Sequence, residues 1–250
     1  MAETPRTCRA ADREPVRVDA PDPADRLDLA RRVLRAESDA IRISSESLDE
    51  RFIEAADLLV ETARKNAGVV VTGMGKSGLI GAKISATLSS LGVPSHVVHP
   101  AEATHGDLGR IRREDCVLAL SYSGTTHEVV NLASLLRQDD VPIISITRGR
   151  GDSPLERLST IALPIGDIEE ACPMSLAPTS SSTATLALGD ALALEASRRL
   201  AFTPDDFAKR HPAGFLGDLL RPVTEVLRFR VGENLGVCRD SMSVGEALRE

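Results

Sequence analysis

The chain has 250 residues, 42% of them hydrophobic, enough for one large or two modest domains with a proper core. A net charge of −7 and a pI near 5.4 exclude the basic surface that nucleic acids and anionic membranes reward, while leaving room for a small anion held by a local lysine and backbone amides. No apolar run approaches the roughly 20 residues of a bilayer span, the first residues lack the apolar core of a secretory signal, and Cys8, Cys116, Cys172 and Cys238 show no C-x-x-C spacing. A cytoplasmic protein with reduced thiols is expected.

Residues 1–22 are rich in Arg, Asp, Glu and Pro without apolar periodicity, so a disordered tail is expected there. From Pro23 to about Ser45, Leu27, Ala30, Val33 and Leu34 recur with helical spacing, and a second such stretch runs from Leu48 to about Lys65. Five apolar runs follow, GVVVTG, PSHVVHP, DCVLALSYSG, VPIISITRG and STIALPIG, separated by helices beginning near Ser77, Thr126, Ser153 and Thr179. Near-continuous apolar strands alternating with helices mark a parallel sheet covered on both faces. The expectation is a three-layer αβα sandwich around a five-stranded parallel sheet, preceded by two helices, over residues 23–221. Ligands of such a sheet sit beyond the carboxyl ends of its strands, and the residues there are polar and glycine-rich.

The first strand runs into GMGKSG, which resembles two nucleotide-binding motifs and completes neither. A P-loop needs a glycine five positions before Gly75, where Val70 stands. A dinucleotide fold needs a carboxylate about 20 positions on, and residues 95–99 read Ser, His, Val, Val, His. What remains is a helix start with Gly75, Lys76 and Ser77, suited to an anion of unspecified kind. A lysine in a first helical turn opposes the helix dipole, which favours a functional reading over a merely solvated side chain.

Beyond the third strand, Ser121, Ser123, Thr125 and Thr126 surround Gly124 ahead of a helix, forming a hydroxyl-rich anion nest. The bland alternative is a simple cap by Thr125 or Thr126, but a cap needs one hydroxyl rather than four. Thr179–Thr183 has a weaker claim and reads equally well as the cap of a long helix from Ala184 to Leu200. His96, His99 and His105 invite a zinc reading, yet His96 and His99 should point to opposite faces of a strand, so no catalytic metal is expected.

Taken together and in order, GMGKSG, HPAEATHGDLG, SYSGTT, EEACP, APTSSSTAT and HPAG resemble the sugar isomerase (SIS) domain family, specifically its arabinose-5-phosphate isomerases, over about residues 25–245. The resemblance implies a flavodoxin-like sheet, a homotetramer, and interconversion of D-ribulose 5-phosphate and D-arabinose 5-phosphate for synthesis of the acid Kdo used in lipopolysaccharide or capsule. No cofactor is implied. By matching motif positions it implies catalytic roles for Lys76, Glu128, Glu170 and His211, substrate contact by His105, and an inhibitory rather than catalytic zinc contact at His99. Glu128 is also what capping electrostatics alone would place in a first helical turn. Glu169 and Glu170 also fit a solvated acidic corner, and burial beside a second acid would raise the pKa of Glu170. His211 also fits an ordinary packed histidine, whereas the family delivers it to a neighbouring subunit's site.

Residues 222–250 resemble the linker and truncated start of the first of two cystathionine β-synthase (CBS) domains that follow the SIS domain in the family. HPAG stands where HPGG is commoner, and SYSGTTHE departs from the usual version. A non-catalytic SIS sugar-phosphate sensor and an isomerase of another sugar phosphate are the alternatives.

Overall fold

The computed structural model describes residues 22–211 and, beyond them, 227, 228, 230, 233, 234, 236 and 238–247. The expected tail, Asp22 excepted, and most of the expected CBS-like segment lie outside the described residues. Two helices lead, α1 (Pro23–Glu46) and α2 (Glu50–Arg64), each opened by an aspartate: the Asp22 and Asp49 carboxylates accept from Ala24 N and Arg51 N. Then follow β1 (Val69–Gly73), α3 (Gly75–Ser90), β2 (Ser95–Val97), α4 (Pro100–Ala103), a 3-10 turn at Asp107–Arg110, β3 (Cys116–Leu120) and α5 (His127–Gln138). The alternation closes with β4 (Ile143–Thr147), α6 (Pro154–Leu158), β5 (Ile161–Pro164), α7 (Ser180–Arg199) and α8 (Pro204–Arg210).

All five strands are parallel, in the order β2-β1-β3-β4-β5. Residues of β1, β3 and β4 are buried along their whole length, so both faces must be covered. One face, with Val69, Val71, Leu118, Leu120, Ile144 and Ile146, packs on α1, α2, α3 and α7. The other, with Val70, Val117, Ala119 and Ile143, packs on α5 and the short helices α4 and α6. The alternating side-chain directions of a strand produce this division, and the two leading helices join the first layer rather than forming a separate unit. Burial also disposes of Cys116, whose thiol desolvation pushes up to about 12, leaving it an inert core residue.

One expectation needs correction. β2 ends at Val97, so His99 is not a strand residue facing away from His96; it occupies the N-cap of α4, with Pro100 supplying the fixed φ of a first helical position. The run PSHVVHP is apolar only in its middle, and the proline ends it.

The order of the strands reverses direction between β1 and β3, and their register places Gly73 beside Leu120, so the loops after these two strands start side by side. That reversal is where doubly wound sheets open a crevice for ligands. Glycines make the turn there possible for packing reasons. A Cβ on Gly78 would lie 2.6 Å from the carbonyl oxygen of Gly73, a backbone atom that cannot swing aside. Gly78→Ala is therefore expected to cost about 1–3 kcal/mol, as overpacking does, and to lower the urea midpoint without changing the far-ultraviolet spectrum; an unchanged midpoint would show that β1 and α3 can separate freely.

Candidate active site

Helix starts at the carboxyl edge of the sheet differ in how their unpaired amides are treated. α6 has a complete capping box: the Ser153 hydroxyl accepts from Glu156 N while the Glu156 carboxylate accepts from Ser153 N. By contrast α3, α5 and α7, which open from the loops after β1, β3 and β5, have no side-chain cap bond at Met74, Thr126 or Thr179. Three positive helix ends thus face one edge without the local residue that would ordinarily satisfy them.

α7 is satisfied from elsewhere in the chain. The Glu170 carboxylate, at the end of the loop from β5, accepts from Thr179 N at 2.7 Å, Thr179 Oγ1 at 3.1 Å and Ser181 N at 3.3 Å, and from the Ser181 hydroxyl. Thr179 Oγ1 and Ser180 Oγ in turn accept from Ala171 N, both at 3.1 Å. The hydroxyl run given the weaker claim from sequence is therefore the mount of a candidate catalytic carboxylate. The expected rise in the pKa of Glu170 is also corrected. Partial burial pushes it up, but the donors from Ser181 and Thr179 together outweigh desolvation and hold it below the ordinary glutamate value. Its neighbour Glu169 is exposed and is not among the main influences on that balance.

The loop after β3 does not follow the simple-cap alternative. The Thr126 and Ser121 hydroxyls bond each other at 2.9 Å, and the Ser123 hydroxyl accepts from Thr125 N at 3.2 Å and Thr125 Oγ1 at 2.9 Å. Gly124 has φ +66°, and a Cβ there would lie 2.2 Å from Ser153 Oγ. The turn thus needs glycine both for its left-handed backbone and for its contact with α6. The result is a compact rim of hydroxyls ahead of the open α5 start, with Glu128 half-buried in its first turn.

Ser77 of α3, Tyr122, and Ser181, Ser182 and Thr185 of α7 line one small cavity of about 70 Å³. Glu170 does not itself line this cavity, but its carboxylate is bonded to Ser181, which does. Lys76 is exposed in the first turn of α3 and has no ion-pair partner among the described residues, which leaves its ammonium available to an incoming anion. Gly75 has φ +54° with open space at its Cα, so its role is the turn itself. A larger hollow of about 350 Å³, lined by Leu108, Ile111, Leu136 and Val141 among others, lies at the amino edge of the sheet, away from all of these groups.

His99 and His105 lie on the exposed segment after β2, on the same edge of the sheet, but neither lines the cavity. No group of three or more metal-ligating side chains is assembled among the described residues. His211 is elsewhere. α3 and α7 run parallel: Ser77 and Ser181 meet at the cavity, Gly189 takes Ile84, and Gly92 beyond α3 takes Phe202 beyond α7. The 20 residues of α7 span about 30 Å, and α8, which His211 follows as C-cap, begins beyond the far end of that length. There it stacks on Phe207, with ring centroids 3.9 Å apart, and its Nδ1 lies 2.9 Å from Phe207 O. It is not part of this cavity within one chain.

Sequence reasoning passed over Tyr122, whose ring lines the cavity and whose hydroxyl bonds Ile168. A lone aromatic in a run of hydroxyl residues was the available signal.

The fold and this edge define a doubly wound α/β domain with a small cavity and uncapped helix starts at its switch point. A SIS-domain family model matches residues 63–195, from the end of α2 through most of α7. The chain belongs to the arabinose 5-phosphate isomerases of the SIS-domain family. It is 45% identical over 227 residues to the arabinose 5-phosphate isomerase KdsD of Pseudomonas aeruginosa, covering 90% of this chain and 68% of that protein. Against KdsD of Escherichia coli it is 41% identical over 219 residues, covering 87% and 65%. The chain thus spans about two thirds of the length of these relatives. Among solved structures, an Escherichia coli protein in complex with A5P superposes with a TM-score of 0.72 at 35% identity, covering 76% of this chain and 100% of that one.

The depressed pKa of Glu170 has a consequence for stability. A carboxyl lowered on folding stabilises the fold above its unfolded value, here near 4.5, and that contribution disappears as pH falls through the lower folded value. The difference in melting temperature between the native chain and Glu170→Gln should accordingly be constant near neutrality and shrink towards pH 3. A pH-independent difference would mean that the donors do not favour the ionised form.

Proposed function

We propose that this chain is an aldose-ketose isomerase interconverting D-ribulose 5-phosphate and D-arabinose 5-phosphate. The observation that carries the reading is an ionised carboxylate, Glu170, bonded to Ser181 at the α7 start, where Ser181 shares a cavity with Ser77 of the uncapped α3 start and with Tyr122 of the loop that leads to the uncapped α5 start, in a chain of the isomerase family. The phosphoryl group belongs at the open α5 start, among the hydroxyls of Ser121, Ser123, Thr125 and Thr126, with the amides after Gly124 as donors. Gly75, Lys76 and Ser77 form the facing wall, where a cation meets the sugar's oxygens. His105 is kept as a substrate contact by the family resemblance, on the rim rather than in the cavity.

In the ketose-to-aldose direction, a base removes one proton from C1, and the electron pair forms the C1–C2 double bond as the C2 carbonyl becomes an enediolate oxygen. Return of the proton to C2 and transfer of the O1 proton to O2 then leave an aldehyde at C1 and a hydroxyl on C2. No electrons are gained or lost overall, so the chemistry needs no redox cofactor. Glu170 or Glu128 is the proton carrier, while Lys76 and His211 stabilise the charge developing on O1 and O2. Depression of its pKa makes Glu170 fully ionised at neutral pH, at some expense in basicity.

His211 follows α7 and α8 and does not line the cavity, which supports its delivery from a neighbouring copy in a homotetramer. Leu27, Leu34 and Ile41, 58%, 69% and 41% exposed, recur every seven residues on the outer face of α1 and supply an apolar stripe for such an assembly. The SIS domain is assigned to residues 23–221, and residues 222–250 to the linker and start of a CBS domain, in keeping with relatives longer than the matched region. Use of a phosphorylated sugar in Kdo and lipopolysaccharide synthesis places the chain in the cytoplasm; no described helix is long and apolar enough to cross a membrane. At His99 zinc would be an inhibitor rather than a catalyst.

Incubation with ribulose 5-phosphate in deuterated water should give arabinose 5-phosphate with deuterium on carbon. Glu170→Gln should slow turnover about 10²–10⁴-fold, the usual contribution of a general base. Tight ligand binding by the native chain with neither product nor exchange would defeat the isomerase reading. If His211 acts in trans, mixing inactive Glu170→Gln with inactive His211→Ala under subunit exchange should restore part of the activity; no recovery despite formation of mixed oligomers would return His211 to its own chain.

A further inference from the structure

Residues 165–170, between β5 and the mount of Glu170, form no regular secondary structure, so their backbone groups cannot satisfy one another by a ladder. Ile168 is nevertheless only 7% exposed. A buried residue outside regular structure must find partners for both its N–H and its C=O. Both of them bond one atom: the Tyr122 hydroxyl donates to Ile168 O at 2.9 Å and accepts from Ile168 N at 2.8 Å. The tyrosine's own carbonyl accepts from Arg148 N at 2.8 Å, and the Arg148 guanidinium carbon lies 5.8 Å from the centre of its ring. Tyr122 therefore ties together the loops that follow β3, β4 and β5, and it belongs to the same six-residue run as the hydroxyls assigned to the phosphoryl group.

We propose that Tyr122 is a positioning residue for the isomerisation: by gripping both backbone groups of Ile168, it sets the distance between the phosphate-binding loop 121–126 and the Glu170 carboxylate two residues beyond the grip. Glu170 is then held from two sides, by the α7 start ahead of it and by the Ile168 anchor behind it. A phosphate fixed in one loop presents its reactive carbons to a base fixed in another only if the two loops cannot slide. Misplacement of about 1 Å can reduce such a reaction roughly 100-fold.

This inference rests on the isomerase reading, and Tyr122→Phe in the full chain tests it. The ring and its packing remain, while Ile168 loses both partners. The expected result is a fall in kcat of about 10-fold or more with KM for ribulose 5-phosphate changed less than about 3-fold, because the phosphate hydroxyls are untouched. The acid limb of the pH profile should also move upward, as loosened donors let Glu170 return towards its ordinary value. A lower melting temperature with kcat and the acid limb both unchanged would overturn the proposal and leave Tyr122 a purely structural residue. An inactive native chain would overturn the isomerase reading along with it, whereas an active native chain and an equally active variant would overturn this inference alone.

Should the variant fold poorly, the native chain supplies a second measurement. Tyr122 is the chain's one tyrosine and there is no tryptophan, so the ultraviolet titration of the phenol reports this hydroxyl without interference. Burial raises its pKa, against the lowering effect of the Ile168 amide, and the net direction is upward. Ionisation above the ordinary value of about 10 is expected, whereas a midpoint at that value would show the grip to be absent.

Discussion

Parallel pairing of β1 with β3 is the constraint on which the rest depends. It sets Gly73 beside Leu120, so GMGKSG and SYSGTT leave the sheet from adjacent positions although more than forty residues separate them in sequence. The pairing is possible because both strands are buried along their whole length, with Val, Leu and Ala facing helices on either side. A strand inserted between them would separate the ammonium from the hydroxyl rim that the proposed reading brings to one small molecule.

Charge at the helix starts gives this edge its chemistry. α6 is closed by its own serine and glutamate, while α3, α5 and α7 are left without a side-chain cap. The chain's own carboxylate closes α7, which both holds Glu170 in place and keeps it charged. Two ends remain for a ligand. On the proposed reading a sugar phosphate brings its dianion to one and its polarised oxygens to the other, an arrangement that uses backbone dipoles as well as the Lys76 ammonium.

Geometry also explains why a single copy is an incomplete enzyme on the proposed reading. Parallel packing of α3 and α7 sends the chain away from the cleft, so whatever follows α7 begins about 30 Å from the place where α7 started. His211 is stacked on Phe207 at that remote end. Its chemistry becomes useful to the reaction only where a second copy brings its own remote end against the first copy's cleft.

Much of the fold was legible in the sequence by itself. Alternation of VVVTG, CVLAL and IISIT with amphipathic helices pointed to a parallel sheet covered on both faces, because helical crossovers between successive strands keep them parallel and bury both sides. Helix starts near Thr126, Ser153 and Thr179 were readable from turn and cap chemistry, which acts over three or four residues. What only tertiary structure decided were contacts between segments distant in sequence, Glu170 receiving the donors of Thr179 and Ser181 and Tyr122 taking both backbone groups of Ile168, and the absence of His211 from the cavity lining. Glu170 shows the reason most plainly. Its neighbours in sequence, an acid and an apolar residue, argue for a raised pKa, whereas the groups that set it lie nine and eleven residues downstream and approach only when α7 packs beside α3.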